Sequence, residues 1–361
     1  MRRLLISGYY GYGNAGDEAV LAGLIAGFRA APGSDGLDLT ALSGNPAETR
    51  LMHGIRAVNR YRPAALLPAI ARCDLFLSGG GSLLQDVTSA HGIFYYLGVV
   101  KMAQLLGKKT VFIAQGIGPL TLPRSRKLVA AVANKLSAIT VRDDASARLL
   151  REIGVSRPPI EVTADPALLL SPTGSPRIGG GGEFGVALRP WPGHEQIGAE
   201  VAGACFQSLG RQEPRLVPIL LPMQDASDRT VSSQFDKQWE ALAGVDSAAF
   251  YGITNAGLGP LLSIIAGCDM MVGMRLHALI LAAAAGVPSV ALSYDPKVTA
   301  FMQASGQSDA VYDLSAPNAE TLAELVGRVW AERKERAAAL EEALPSLRAK
   351  AQRNVDVALG G

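Results

Sequence analysis

Three residues that could bind an anion follow apolar segments in the second half of the sequence. Arg275 and His277 lie in GMRLHA after the segment MMV, and Lys297 lies in SYDPKV after SVAL. A helix N-terminus supplies unpaired N–H groups and positive potential, so an arginine and a histidine there suit a phosphate group. We interpret the three residues as a cationic rim. The competing interpretation is a structural histidine and an ordinary surface lysine.

Arg142 is the candidate anion-binding residue of the first half. It follows the apolar segment AITV and precedes the polar residues Asp143, Asp144 and Ser146. A guanidinium can bind a carboxylate or a phosphate through two parallel N–H donors. The alternative is that Arg142 pairs locally while the residues after it cap a helix.

A GxGxxG pattern follows the first apolar segment, with its glycines at Gly11, Gly13 and Gly16. This spacing between a strand and a helix is typical of dinucleotide-binding sites. Such a site also needs an acidic residue at the end of the second strand, where this sequence has Leu42 and Ser43. We therefore do not expect a nicotinamide cofactor. The loop is either structural or a set of exposed N–H groups that contacts a sugar or an anion.

Two more glycine-rich segments are expected at the same edge of the predicted sheet. They are SGGGS, which contains Gly79–Gly81, and AQGIGP. Glycines allow a ligand to approach the backbone, and the carboxyl ends of parallel strands share one edge. The candidate acceptor contacts are Gly13, Asn14, Gly16, Asp17, Glu18, Gly80, Gly81, Ser82, Gln115 and Gly116.

Short apolar segments alternate with helical segments along the chain, which predicts an α/β fold with parallel sheets. The Gly/Pro-rich stretch 173–183 is expected to link an N-terminal Rossmann-like domain, 1–172, to a C-terminal one, 184–361. Two such doubly wound domains imply a cleft, and the helical tail from Ala319 is expected to end near Pro345. The predicted strands are Leu4–Ser7, Asp38–Leu42, Leu75–Ser78, Thr110–Ala114, Ala138–Val141, Ile160–Thr163, Phe184–Leu188, Arg215–Ile219, Ala248–Tyr251, Met270–Val272, Ser289–Leu292 and Ala310–Tyr312.

Composition excludes several classes of function. The 34 basic residues minus the 32 acidic ones leave a net charge of +2, too small for a protein that binds nucleic acid through a basic surface. The 3 cysteines are far apart and lack CxxC spacing, so neither a disulfide framework nor a metal site is expected. The apolar runs are too short for a signal peptide or a membrane span. We expect a cytoplasmic protein, at most peripheral at the inner face of the plasma membrane.

Six segments taken together resemble the polysaccharide pyruvyl transferase family, closest to its bacterial CsaB type. In chain order they are GYYGYGNAGDEAVL, SGGGSLLQDVTS, AQGIGPL, VRDDAS, ADPALLL and GMRLHALILAAAAGVP. The resemblance spans about Leu4 to Lys297. It implies two Rossmann-like domains facing across a cleft in the GT-B manner. It also implies phosphoenolpyruvate as donor, a sugar with two suitably placed hydroxyls as acceptor, and a cyclic 4,6-pyruvate ketal and phosphate as products.

The resemblance also implies roles for residues and partners. The acceptor would be a hexosamine, N-acetylmannosamine, of a lipid-linked cell-wall polysaccharide precursor. No cofactor is implied beyond phosphoenolpyruvate as co-substrate, and homo-oligomerisation stays open. CsaB-type sequences commonly have Arg-Ser before YYLG, whereas Ala90, His91 and Gly92 stand before IFYYLG here, so no acceptor role is carried over to them. The residues that the resemblance assigns to phosphoenolpyruvate are Arg142, Arg275, His277 and Lys297.

The mechanistic hypothesis gives His277 the role of acid or phosphate partner, because the pKa of an ordinary imidazole lies near operating pH. The carboxylates that could activate an acceptor hydroxyl are Asp17, Glu18, Asp86 and Asp165, of which we favour Asp17. Two rival functions stay open. One is a GT-B glycosyltransferase that uses a nucleotide sugar, although no stacking aromatic or ribose-binding carboxylate is evident near the second crevice. The other is a non-catalytic sugar-binding protein.

Overall fold

The computed structural model describes two compact units of the chain. It covers residues 1–87, 90–172, 181–210, 216–244, 251–252 and 257–360, with the backbone alone at 90, 91 and 225. Unit 1 comprises Met1–Tyr12, Asp17–Leu170 and Arg348–Gly361, and unit 2 comprises Gly13–Gly16 and Ser171–Leu347. Each unit contains one parallel sheet. The predicted α/β fold class is therefore confirmed.

Unit 1 contains a seven-stranded sheet in the order β3-β2-β1-β4-β5-β6-β7. The order reverses between β1 and β4, and ligands of open parallel sheets bind at the carboxyl ends beside such a reversal. The strands are β1 (Arg2–Tyr10), β2 (Leu37–Ser43), β3 (Arg56–Asn59), β4 (Leu75–Leu84), β5 (Lys109–Ile117), β6 (Ala138–Val141) and β7 (Ile160–Val162). The helices are α1 (Ala15–Ala30), α2 (Pro46–His53), α3 (Pro63–Arg72), α4 (Ala90–Leu105), α5 (Pro123–Ala133) and α6 (Asp144–Glu152).

The central strands of unit 1 are apolar on both faces, because helices cover both sides of a parallel sheet. Successive side chains of a strand point to opposite faces. Alternate residues therefore enter two separate hydrophobic layers, with Leu5, Phe76 and Phe112 in one and Ile6, Leu77 and Ile113 in the other. Polar candidates are consequently confined to the strand ends.

Unit 2 contains, within the described residues, a five-stranded sheet in the order β12-β11-β10-β8-β9. Here the order reverses between β8 and β10. The strands are β8 (Glu183–Ala187), β9 (Val217–Leu220), β10 (Met270–Gly273), β11 (Ser289–Ser293) and β12 (Val311–Asp313). The helices are α7 (Ile197–Leu209), α8 (Asp225–Ala243), α9 (Leu258–Gly267), α10 (Leu276–Ala284), α11 (Pro296–Ala304), α12 (Ala319–Ala331) and α13 (Arg333–Leu359).

Several elements differ from the sequence-based expectations. β3 was not predicted, because its four residues include a charged and a polar side chain. The last helix, α13, continues through Pro345 instead of ending near it. The expected strand 248–251 and the expected linker 173–183 lie largely outside the described residues.

The end of the chain also divides differently from the expected C-terminal domain, 184–361. Arg348–Gly361 groups with unit 1. The physical reason is burial: Val355 and Ala358 lie in the same hydrophobic layer as Ile6 and Leu77. None of the helices in the described ranges combines the length and the apolar character that a membrane span requires.

Candidate active site

A buried glutamate holds the first glycine loop of unit 1. The Gly11 N–H donates to Glu18 Oε1 at 2.7 Å, and Glu18 Oε2 lies 2.7 Å from His53 Nε2. The Glu18 side chain is only 3% exposed and that of His53 2%. This corrects the expectation that Glu18 contacts an acceptor, because its carboxylate is enclosed and hydrogen-bonded on both oxygens.

The rest of this loop, Gly13–Gly16, belongs to unit 2. The Ala15 N–H donates to the Met223 carbonyl at 2.8 Å, and Asn14 forms an antiparallel bridge with Gln224. A Cβ added to Gly16 would lie 2.2 Å from His277 Nδ1. The third glycine of the GxGxxG pattern therefore packs against an imidazole. This contact brings together Gly16 and His277, which are both predicted site residues.

The glycines after Ser78 continue β4 rather than forming an open turn. A Cβ on Gly79 would lie 2.2 Å from the Ile113 carbonyl oxygen, and one on Gly80 would lie 2.3 Å from Val20 Cγ1. Both glycines have positive φ, which side-chain-bearing residues rarely adopt. Internal packing explains Gly79 and Gly80, which corrects the expectation that they leave space for a ligand. Gly81 differs, because a Cβ added to it would lie 3.1 Å from Asp17 Oδ1.

Arg142 is held at the carboxyl ends of three neighbouring strands of unit 1. Its Nη1 donates to Asp165 Oδ2 at 2.9 Å, and its Nη2 donates to Ser82 Oγ at 2.7 Å. A Cβ on Gly116 would lie 3.2 Å from the Arg142 Nε and Nη2 atoms. The Arg142 and Asp165 side chains are 6% and 4% exposed. The structure thus brings Ser82, Gly116 and Arg142 together, and the arginine charge is balanced by Asp165.

Gln115 and Asp86 stabilise the same edge of the sheet. The Gln115 side chain is fully buried, and its Nε2 donates to the carbonyls of Gly81 and Gly116. The Asp86 carboxylate accepts from the Thr121 and Leu122 N–H groups and from the Thr121 hydroxyl. Burial raises the pKa of Asp86, but these hydrogen bonds outweigh it and lower that pKa to about 2. Asp86 is therefore a structural carboxylate and too weak a base to activate a hydroxyl.

An arginine enclosed by tyrosines lies beside the strand reversal of unit 1, and the sequence analysis missed it. Arg60 follows β3 and is 2% exposed. Its guanidinium carbon lies 4.5 Å from the Tyr95 ring centroid and 5.0 Å from that of Tyr96. Its Nη1 donates to the Gly8 carbonyl at 2.6 Å. Arginines commonly stack on aromatic faces in this way.

Three further tyrosines extend this cluster to the surface. The rings of Tyr9 and Tyr12 stack with centroids 4.3 Å apart, and the Tyr12 and Tyr61 hydroxyls lie 2.6 Å apart. Tyr61 is 63% exposed. Burial and the negative charge of Asp17 raise the pKa of Tyr9. The sequence contains tyrosines close together in YYGY and another one beside arginines in NRYRP. The two segments are far apart in the chain, and only the fold brings them together.

The two predicted cations of unit 2 are each paired with a carboxylate. Arg275 precedes α10, and its Nε and Nη2 donate to the two oxygens of Asp228, which is completely buried. Lys297 Nζ lies 2.9 Å from Asp295 Oδ2. The two cations of the expected rim thus each lie in an ion pair. Asp228 was missed because it lies in a helix remote in sequence from Arg275.

No cluster of three potential metal ligands occurs among the residues that the structure describes. The His91 side chain lies outside the described residues, and His194 is partly buried. A cavity of about 840 Å³ in unit 1 is lined by Arg3, Asp38 and Arg56 among others. It lies at the amino ends of the strands, and none of the predicted site residues lines it.

An aromatic pair at the carboxyl edge of unit 2 was also missed. The rings of Trp191 and Tyr294 lie 4.5 Å apart at the centroids. Both residues closely follow strands, β8 and β11. This corrects the expectation that no stacking aromatic stands near the second crevice.

Comparisons with known proteins bear on the family and on the fold. The sequence model described as polysaccharide pyruvyl transferase matches residues 14–296. No curated protein is similar enough in sequence to count as a match. Among solved structures, Anabaena HepE in complex with UDP has a TM-score of 0.61 at 13% identity, covering 99% of each chain.

Two more solved structures have the same fold. The UDP-GlcNAc 2-epimerase from Neisseria meningitidis bound to UDP-GlcNAc has a TM-score of 0.61 at 12% identity, covering 100% of each chain. The spinosyn rhamnosyltransferase SpnG has a TM-score of 0.56 at 13% identity, also covering 100% of each chain. At such identities the likeness concerns the fold alone. It supports two Rossmann-like domains of the kind found in GT-B glycosyltransferases and related epimerases.

Proposed function

Because the chain belongs to the polysaccharide pyruvyl transferase family, we propose that it transfers a pyruvyl group from phosphoenolpyruvate to a sugar. The sugar is a hexosamine, N-acetylmannosamine, of a lipid-linked cell-wall polysaccharide precursor, as the CsaB-type resemblance implies. The products are a cyclic 4,6-pyruvate ketal and phosphate. Transfer to such a precursor takes place in the cytoplasm, with peripheral contact at the inner membrane face.

The observation that carries this proposal is the arrangement at the start of α10. His277 lies in the first turn of this helix, against Gly16, and Arg275 immediately precedes the helix. The Arg275 guanidinium is oriented by both oxygens of Asp228 and by Ser227 Oγ at 3.2 Å. An oriented guanidinium beside a helix N-terminus suits a phosphate ester. We assign the donor phosphate to this turn, with Lys297 and Arg142 as further proposed donor ligands.

The reaction needs a proton at the methylene carbon of phosphoenolpyruvate. Protonation of C3 leaves positive character at C2, and the oxygen of one sugar hydroxyl forms a bond to C2. The bond between C2 and the phosphate oxygen then breaks, and phosphate leaves. The second hydroxyl closes the ketal on the same carbon. Two hydroxyl protons are released in total, which balances the proton taken up by C3 and the one taken up by phosphate. His277 is the proposed acid, since imidazole can donate a proton near neutral pH.

We assign the acceptor to the surface of unit 1 formed by Tyr9, Tyr12 and Tyr61. Aromatic faces pack well against the apolar C–H face of a pyranose ring. Asp17 Oδ1 lies 3.1 Å from the position of a Cβ on Gly81, towards the carboxyl end of β4, and burial together with the charge of Asp17 raises the pKa of Tyr9. Asp17 is partly buried and remains the proposed base for an acceptor hydroxyl. Glu18 and Asp86 are removed from that role, since both are held by hydrogen bonds inside unit 1.

Acceptor-dependent release of phosphate from phosphoenolpyruvate is the direct test. The purified protein is incubated with phosphoenolpyruvate and lipid-linked saccharides that carry N-acetylmannosamine, and the products are analysed by mass spectrometry. We expect phosphate and a ketal in equal amounts. His277→Ala should lower turnover by about 10²-fold or more, the contribution typical of a positioned acid, with an unchanged thermal unfolding midpoint.

The same assay separates the rival functions. Transfer from UDP-sugars without turnover of phosphoenolpyruvate would show a glycosyltransferase and would refute the proposal. Binding of the saccharides without turnover of either donor would leave a sugar-binding protein. Full activity of His277→Ala would remove this residue from the mechanism.

A further inference from the structure

Arg189, at the proposed donor edge of unit 2, forms no ion pair with any carboxylate that the structure describes. Arg189 comes two residues after β8 and is partly buried. Its Nη1 donates to the Tyr294 hydroxyl at 3.1 Å. Its guanidinium carbon lies 5.1 Å from the Tyr294 ring centroid and 5.9 Å from that of Trp191. Its Nε is buried and has no hydrogen-bond partner in the described part of the chain.

The sheet topology places this arginine at the same edge of the sheet as the turn that holds Arg275 and His277. β8 and β11 flank β10 on its two sides. Arg189 follows β8 and Tyr294 directly follows β11, so their hydrogen bond spans the carboxyl end of β10. That end is continuous with the turn at Arg275. It is also the point where the strand order of unit 2 reverses, the usual ligand position in such sheets.

The charges of the proposed donor residues show why a further cation is needed. Arg275 is neutralised by Asp228 and Lys297 by Asp295. Phosphoenolpyruvate carries a carboxylate and a phosphate, so two balanced ion pairs leave much of its charge uncompensated. Within the described residues, no carboxylate is paired with Arg189. The only hydrogen-bond acceptor that it has there is the Tyr294 hydroxyl.

We propose that Arg189 binds the carboxylate of phosphoenolpyruvate. This assignment rests on the proposed function and extends it by one specificity-determining residue. A guanidinium matches the two oxygens of a carboxylate through parallel N–H donors. The rings of Trp191 and Tyr294 restrict its orientation before the ligand arrives, which lowers the entropic cost of binding. The N–H groups at the start of α10, together with Arg275, then serve the phosphate.

The aromatic pair orients the arginine instead of offering a free face to a nucleotide base. Its two rings contact each other, and the guanidinium of Arg189 lies over both. A carboxylate ligand is therefore favoured over a stacked base at this position.

Equilibrium binding of phosphoenolpyruvate to the full-length protein tests the assignment. Arg189→Gln should weaken binding by about tenfold or more, the size expected for a lost charge-assisted hydrogen bond. Arg189→Lys should restore part of the affinity, because it keeps the charge but not the planar fork. Binding of inorganic phosphate should be unchanged in Arg189→Gln, whereas competition by oxalate, which has carboxylates alone, should be lost.

Arg333→Gln is the matched control. Arg333 also stacks on a tryptophan of unit 2, with its guanidinium carbon 4.4 Å from the Trp330 centroid, but it lies at the junction of α12 and α13. We expect it to bind phosphoenolpyruvate like the unmodified protein. All variants are compared for their thermal unfolding midpoints, so that a folding defect is recognised.

The possible outcomes distinguish the role of Arg189 from the proposed function of the protein. Unchanged affinity of Arg189→Gln for phosphoenolpyruvate would overturn the assignment while leaving the proposed function standing. If Arg189→Gln loses affinity for phosphoenolpyruvate and for inorganic phosphate to the same extent, the assignment is also overturned, since Arg189 would then bind the phosphate. If the unmodified protein binds no phosphoenolpyruvate, the proposed function itself fails. If Arg189→Gln fails to fold, Tyr294→Phe is used instead, because it removes the hydrogen bond to the guanidinium but keeps the arginine. Unchanged affinity for phosphoenolpyruvate in both Tyr294→Phe and Arg189→Lys would then refute the assignment.

Discussion

Gly16 carries no side chain, and the space that a Cβ would fill is occupied by the imidazole of His277. The distance from that Cβ to His277 Nδ1 would be 2.2 Å, far shorter than any van der Waals contact. Gly16 also donates its N–H to Asn14 Oδ1 at 3.0 Å. The loop that resembles a dinucleotide fingerprint therefore serves to position a histidine. The third glycine of the pattern is required by the packing of this imidazole.

Gly16→Ala should abolish most of the pyruvyl transfer without unfolding the protein. The new methyl group must displace His277, so we expect a loss of about 10²-fold or more in kcat if His277 is the acid. Steady-state kinetics of phosphate release measures the effect. Gly203→Ala is the control, because Gly203 lies inside α7 and a Cβ there meets no atom within 4 Å. Normal activity of Gly16→Ala would contradict the positioning role.

The carboxyl ends of β4 and β5 are held by side chains that lie between them. Asp86 accepts three hydrogen bonds from Thr121 and Leu122, which fixes the segment after β5. Gln115 links the Gly81 and Gly116 carbonyls. These contacts fix the backbone on which Ser82 and Arg142 meet. The edge of the sheet is thus rigid before any substrate binds.

Asp86→Ala should lower the free energy of unfolding by about 1–3 kcal/mol at pH 7, the cost of buried donors left unpaired. The folded pKa of Asp86, about 2, lies below the usual 3.8. Its stabilisation is therefore full above about pH 4 and is lost as the pH falls towards 2. Urea unfolding from pH 7 to pH 2 should show the difference between the two proteins shrinking in this window. The exposed Asp35→Ala serves as control, and a pH-independent difference would count against the assignment.

The second half of α13, from Arg348, groups with unit 1, whereas Ser171–Leu347 belong to unit 2. Asn354 is completely buried on α13. Its Oδ1 accepts from the Thr140 and Thr163 hydroxyls at 2.6 and 2.7 Å, and its Nδ2 donates to the Ala164 carbonyl at 2.8 Å. The helix thereby ties together β6 and the segment after β7.

Asn354→Ala should destabilise unit 1 selectively, by about 1–3 kcal/mol for the lost buried hydrogen bonds. Native-state hydrogen exchange reports the local free energies. Amides of β6 should exchange faster, while those of β10 should keep their rates. The exposed Lys350→Ala, on the same helix, provides the comparison. Equal acceleration in both units would show that the helix stabilises the chain as a whole and would contradict the prediction.

The amino-acid sequence alone determined the fold class and the positions of most strands. Runs such as TVFIA and SVALS are apolar because a parallel sheet is buried on both faces, and this local pattern needs no tertiary information. The same reasoning located Arg275 and His277 at a strand end. It did not find β3, whose sequence RAVN is too short and too polar to stand out.

Which side chains meet depends on how the elements pack against one another. Asp228 pairs with Arg275 across 47 positions of the chain, and Arg189 reaches Tyr294 across 105; no local pattern encodes such partners. Burial likewise removed Glu18 from the candidate contacts, because its role depends on His53 on another helix. The apolar pattern of a strand or helix reflects its own local environment and can be read along that element. The pairing of charges depends on elements that are distant in sequence and meet only on folding.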